Sequence, residues 1–178
     1  NQTRKHGFDD PKQELGLHLW FGIDFGDVFV YHQGAKSQKQ GTIVQARASV
    51  LYDVLNGIAL DSVLDNLSQG ERELALRHAH QWKKKDLIIY DRGYPSYDFI
   101  YEHAKLDVDC LIRATTTYSS IVIAFVAGSK KSMVTEIYPG KNQSFKDKEY
   151  DKNSGLKVRL LRIDLPGGEV EVLMTTLL

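Results

Sequence analysis

An acidic residue placed where a buried strand breaks off is the feature of this chain with the most chemistry in it. The stretch from Asp86 to Tyr97 reads DLIIYDRGYPSY. Leu87, Ile88 and Ile89 form an apolar run suited to a strand covered on both faces, and Gly93 and Pro95 then break regular structure. Asp91 therefore falls at the carboxyl end of a central strand, where open α/β sheets place ligands. By position alone it is either a metal ligand or a turn-former bonding its own backbone. Metal chemistry needs a partner acid from a neighbouring strand. Two divalent ions about 3.5–4 Å apart require shared carboxylate oxygens to activate a water and to hold a departing oxygen. Asp24 and Asp27, in the apolar and aromatic segment Leu17 to Val30, are the acids on offer.

Other reactive residue types read more plainly. Asp9-Asp10 precedes Pro11 and has the pattern of a turn. Asp53 lies on a strand of the same sheet and suits a structural hydrogen-bonding role. His78 and His80 stand two apart on a helical segment, so they point to different faces and share no metal. Cys110, the only cysteine, excludes an internal disulfide framework and multi-cysteine zinc sites. Its apolar setting from Val108 to Ile112 marks a buried, inert thiol.

The elements that must position Asp91 follow from periodicity. Residues 1–16 are a polar lead-in. Leu17 to Val30 reads as one or two short strands, and Tyr31 to Gly41 as a polar loop. Ala46 to Leu55 alternates, with Ala48, Val50, Tyr52 and Val54 on one side. Asn56-Gly57 is a hairpin signal, and Ile58 to Leu64 returns antiparallel. Ser68 and Glu71 match a capping box, opening a helix to about Trp82. After the Asp86 stretch comes a helix with Tyr97, Ile100, Tyr101 and Ala104 on one face, then a strand from Val108 to Ile112. Strands separated by a helix imply a parallel pair with a crossover. Beyond Thr115, Tyr118 to Ala127 reads as a short helix stopped by Gly128. Met133 to Tyr138 is a strand, Lys141 to Gly155 a long loop, and Lys157 to Leu165 with Glu169 to Leu177 a hairpin across Pro166-Gly167-Gly168. A hairpin-led mixed sheet continued by parallel strands is the ribonuclease H-like α/β arrangement. One acid there sits on the first central strand and another at the end of the fourth.

The 178 residues suffice for one ordinary core. Basic and acidic side chains number 23 each, so bulk charge selects neither nucleic acid nor a membrane as partner. Local basic clusters remain: Lys83 to Lys85, Lys130-Lys131, and Lys141 with Lys146 and Lys148. Taken singly, each is an ordinary solvated cluster. There is no signal-peptide pattern and no apolar run long enough to span a bilayer, so the expectation is a cytoplasmic protein without membrane contact.

The segments QARASVLYDVLN, SQGERELALRHA, DLIIYDRGYPSYDFIYEH and VRLLRIDLPGGEVEVLMTTLL together resemble the DDE transposases of bacterial insertion sequences, in the IS-four-like class. The resemblance runs from Gly41 to Leu178 with the motifs in family order, and DRGYPS with the GERELA helix is its most specific part. It implies that Asp91, the acid of DRGY, is the second catalytic carboxylate. The family's first acid stands before Gly after an apolar strand, and the nearest match is Ile23-Asp24-Phe25-Gly26, with Asp27 in reserve. The third acid, a Glu in a Tyr-x-x-Arg-x-x-x-Glu helix, is expected beyond Leu178, and neither Glu169 nor Glu171 is assigned to it.

The same resemblance implies residues 17–114 as an incomplete ribonuclease H-like catalytic core and residues 115–178 as a β-rich insertion. Mg²⁺, with Mn²⁺ as a substitute, is the implied cofactor, held by Asp24 and Asp91. DNA, as transposon ends and target, is the implied partner, with a homodimer pairing two ends. Arg92, Arg113, Lys130, Lys131, Lys141 and Lys146 are the expected DNA contacts, although either arginine can equally pair with a core carboxylate. Tyr94 is expected to pack rather than to stack on an extruded base. The alternative from another class is a non-catalytic DNA-binding remnant or domesticated module.

Overall fold

The computed structural model describes residues 17–21, 26–31, 44–141 and 144–178. Three parallel strands form its centre. Strand β1 (Leu17–Phe21) is followed by the short strands β2 (Gly26–Tyr31) and β3 (Val44–Gln45), which among the described residues pair with each other. Strands β4 (Arg47–Asp53) and β5 (Ile58–Asp65) make the expected hairpin. Its turn closes as Gly57 N–H donates to Asp53 O at 2.9 Å, with Gly57 at φ 69°, a conformation that suits glycine. The Asp53 carboxylate accepts from the Leu55 and Asn56 N–H groups at 3.0 and 3.1 Å, the structural role expected of it.

Helix α1 (Glu71–Arg77) leads into a 3-10 turn over His78–Gln81, then β6 (Leu87–Tyr90), α2 (Tyr97–Lys105) and β7 (Asp109–Ala114). Strand β1 runs antiparallel to β4 and parallel to β6, and β6 runs parallel to β7. The order β5-β4-β1-β6-β7 is the ribonuclease H-like sheet. Helix α3 (Ser120–Ala127) and strands β8 (Ser132–Ile137), β9 (Leu156–Asp164) and β10 (Val170–Thr175) complete the chain. These last strands carry the same sheet outward, β10 antiparallel to β7, then β9 and β8, giving a sheet of eight strands among the described residues.

Two local expectations are corrected. The α1 cap lies two residues later than Ser68: Gly70 is the N-cap, and Glu73 Oε2 accepts from its N–H at 3.2 Å. On β4, Ser49 and Leu51 are fully buried while Val50 and Tyr52 are half-buried. The polar member of that face is satisfied, since Ser49 Oγ lies 2.8 Å from His78 Nε2 and His78 Nδ1–H donates to Asp61 at 2.7 Å. This buried chain ties β4 and β5 to the turn after α1. That bond holds the Asp61 carboxyl below its ordinary range. The tighter 3-10 turn also brings His80 Nε2 to 3.6 Å from Asp61, so the two histidines converge where an α-helix would have separated them.

Helix α2 seals one face of β6 and β7. Ser96 Oγ caps it by accepting from Phe99 N–H at 3.2 Å, and Phe99, Ile100 and His103 point inward against Ile88, Tyr90 and Ile112. The His103 ring is fixed between two partners. Its Nδ1–H donates to Phe99 O at 2.7 Å, and its Nε2 accepts from the Tyr90 hydroxyl at 2.9 Å. Burial pushes its pKa down to about 4 from 6.5. Because the unfolded chain binds this proton first, the stabilisation is complete above pH 6.5 and is lost as pH falls towards 4. Over that window His103 should remove about 3 kcal/mol of stability. Urea unfolding across the window should show the loss, and His103→Gln should flatten the slope there.

Candidate active site

Parallel pairing sets the geometry of the site. Leu19 is level with Ile89, and Tyr90 with Ile112, so β1, β6 and β7 end along one edge of the sheet. Asp91 is the first residue past β6 on that edge. Its backbone oxygen accepts from Tyr94 N–H at 3.3 Å, which forms the turn, and its carboxylate is left 68% exposed. The turn uses the main chain of Asp91 rather than its carboxylate, which leaves the side chain open to solvent.

Asp24 lies outside the described residues. Asp27 falls in β2, with its backbone alone described.

Two arginines stand at this edge, one of them paired with Asp91. Arg113, on β7, places Nη1 3.5 Å from Asp91 Oδ1, while its Nη2 donates to Glu171 Oε1. Arg92 Nη2 reaches the same Glu171 oxygen at 3.2 Å. The result is a row of alternating charge: Asp91, Arg113, Glu171, Arg92. Leu173 on β10 is level with Arg113, and the antiparallel direction of β10 carries Glu171 two residues nearer the edge. Glu171 was left without a role by the sequence, since its alternation with Val170 and Val172 shows a face but not the strand it faces. The register to β7 supplies that link.

The lysines divide into two groups. Lys131 O accepts from Arg162 N–H at 2.9 Å, and Arg162, Val172 and Ala114 are level with one another, so Lys130 and Lys131 lie at the Asp91 end of the sheet. From β6 to β8 is four strand spacings, roughly 19 Å. Lys131 also pairs with Asp164, and Lys130 borders an apolar cleft with Phe125 and Met133. Lys141 and Lys146 are exposed on the loop before β9. That loop is fastened along α2, where Lys148 lies 3.4 Å from Asp98, Lys105 lies 2.7 Å from Glu149, and Tyr97 donates to Ser154 O at 2.7 Å.

Among the described residues, no group of three or more histidines, cysteines or acids is gathered to hold a metal ion. Nor is any helix among them long and apolar enough to cross a membrane. Cys110 is buried, and burial pushes its thiol up to about 12.

A family model described as a transposase DDE domain matches residues 16–170. No curated protein matches the chain. Among solved structures, the piggyBac transposase in a synaptic complex with hairpin DNA superposes with a TM-score of 0.55 at 7% identity. The match covers 90% of this chain and 33% of that one. At this identity the likeness is one of fold, and the chain spans about a third of that protein's length.

Tyr94 is 1% exposed, stacked on Tyr90 at 5.0 Å and tilted against Phe99 at 5.5 Å. Burial, then the nearby Glu71 charge, raises its hydroxyl pKa far above the usual range. Such a ring is part of the wall that holds the Asp91 turn. Tyr94→Ala should therefore cost about 3–5 kcal/mol of folding stability in urea titrations.

Proposed function

The chain belongs to the transposase DDE-domain family, and from that membership we propose that it supplies part of the catalytic core of an insertion-sequence transposase. The complete enzyme cuts DNA at transposon ends and joins the 3′-hydroxyl to target DNA. The observation that carries this reading is the exposed Asp91 carboxylate, at the end of β6 beside the end of β1 and next to the two arginines. Residues 17–114 form the core under this reading. Residues 115–178 are the β-rich insertion, which extends the sheet from β7.

An exposed carboxylate on a strand end suits a hard cation that prefers oxygen ligands and keeps several waters. Asp91 would hold Mg²⁺, or Mn²⁺ in its place, together with Asp24. When bound, the ions supply activation of a water or 3′-hydroxyl and charge stabilisation of the departing oxygen. The chain's other residues bind and orient DNA. Arg92 and Arg113 offer planar guanidinium forks to a backbone phosphate beside Asp91. Lys130 and Lys131 extend the positive edge along the sheet, and Lys141 and Lys146 add charge above α2. Such contacts give affinity and register rather than sequence reading. A homodimer would bring two transposon ends together.

The test uses a chain extended through the family's third acid. Asp91→Asn in it should reduce strand transfer to background, with DNA affinity within about twofold of the parent. Strand transfer retained in that variant would overturn the assignment of Asp91. Salt-dependent DNA binding by the extended parent with no Mg²⁺-dependent cleavage would instead mark a non-catalytic binding module.

A further inference from the structure

We propose that Glu171 is an internal stand-in for a DNA phosphate, occupying the Arg92–Arg113 site until the DNA backbone displaces it. The inference rests on the DNA-binding reading above and adds a residue that controls it. Two guanidinium groups converge on one oxygen, Glu171 Oε1, from different elements: Arg92 from the turn after β6 and Arg113 from β7. Carboxylates and phosphates present the same kind of oxygen to a guanidinium fork, so a pair of arginines arranged for one is arranged for the other.

The exposures are ordered as displacement requires. Side-chain exposure is 52% for Arg92 and 36% for Arg113, against 18% for Glu171. The arginines are therefore more open to an arriving phosphodiester than the carboxylate that now occupies them. Arg113 is also under-satisfied in this state, because its Nε is buried without a hydrogen-bond partner among the described residues. Its fork is divided between Asp91 and Glu171, and neither acid takes the Nε–H.

The consequence is a built-in competition. In the free protein Glu171 neutralises charge that DNA needs, and it draws Arg113 towards β10. Once a phosphate holds the arginines, the carboxylate is released. Glu171 thus raises the threshold for casual attachment to DNA at this edge, leaving productive engagement to complexes that bring further phosphate contacts.

The measurement is binding of a short DNA duplex by fluorescence anisotropy, without divalent ions, at several salt concentrations. Glu171→Gln keeps the size of the side chain and removes its charge, and it should bind roughly tenfold more tightly than the parent. The gain should disappear when Arg92→Gln or Arg113→Gln is added, and Glu171→Asp should stay within a few-fold of the parent. Binding by Glu171→Gln equal to or weaker than the parent, while Arg92→Gln and Arg113→Gln each weaken binding, would overturn the stand-in role and leave the DNA-binding reading intact. Absence of salt-dependent binding in both parent and Glu171→Gln would overturn the two together.

Discussion

Parallel hydrogen bonding of β6 to β1 on one side and to β7 on the other is the constraint from which the candidate site descends. Parallel neighbours finish at the same edge, and that shared edge is where Asp91 leaves the sheet and where Arg113 stands opposite it. A parallel pair also needs a crossover, and α2 is that crossover. Its inward residues lock β6 in place through Ile100, Phe99 and the Tyr90–His103 hydrogen bond. The strand is only four residues long, and it is held by neighbours on both edges and by burial of Leu87, Ile88 and Tyr90. Its rigidity is lent to the first residue beyond it.

The second layer of organisation is electrostatic and comes from the far half of the chain. Strand β10 joins β7 antiparallel, and its register rather than its composition delivers Glu171 to the arginines. Had β10 been shifted by one residue, its acid would face the opposite side of the sheet. Two arginines and two acids then balance on one edge, which fits a chain whose total charge is also balanced.

Much of this was legible in the residues. The apolar run ending at Asp91, the Asn56-Gly57 turn, the helix face of Tyr97, Ile100, Tyr101 and Ala104, and the hairpin at Pro166-Gly167-Gly168 are local signals, and the observed elements follow them. The order of these elements gave the ribonuclease H-like sheet. The misread features depend on tertiary partners. The α1 start moved to Gly70 because a glutamate side chain completes the cap there, where Ser68 had the better residue type. Ser49 is buried because His78 waits for it, a contact between residues far apart in sequence. Glu171 was visible as an acid on a strand, but no periodicity says which strand will lie beside it. Asp24 remains a proposal resting on the resemblance.

The sheet order also bears on how the chain reaches this state. The hairpins β4–β5 and β9–β10 join residues close in sequence, so they can form early with little loop-closure cost. Strand β1 must instead find β6 across the whole intervening hairpin and helix, a high-contact-order step that favours slow folding. The edge carrying Asp91 therefore depends on a pairing between strands far apart in sequence. Local hairpins can thus precede this edge, whose geometry rests on that distant pairing.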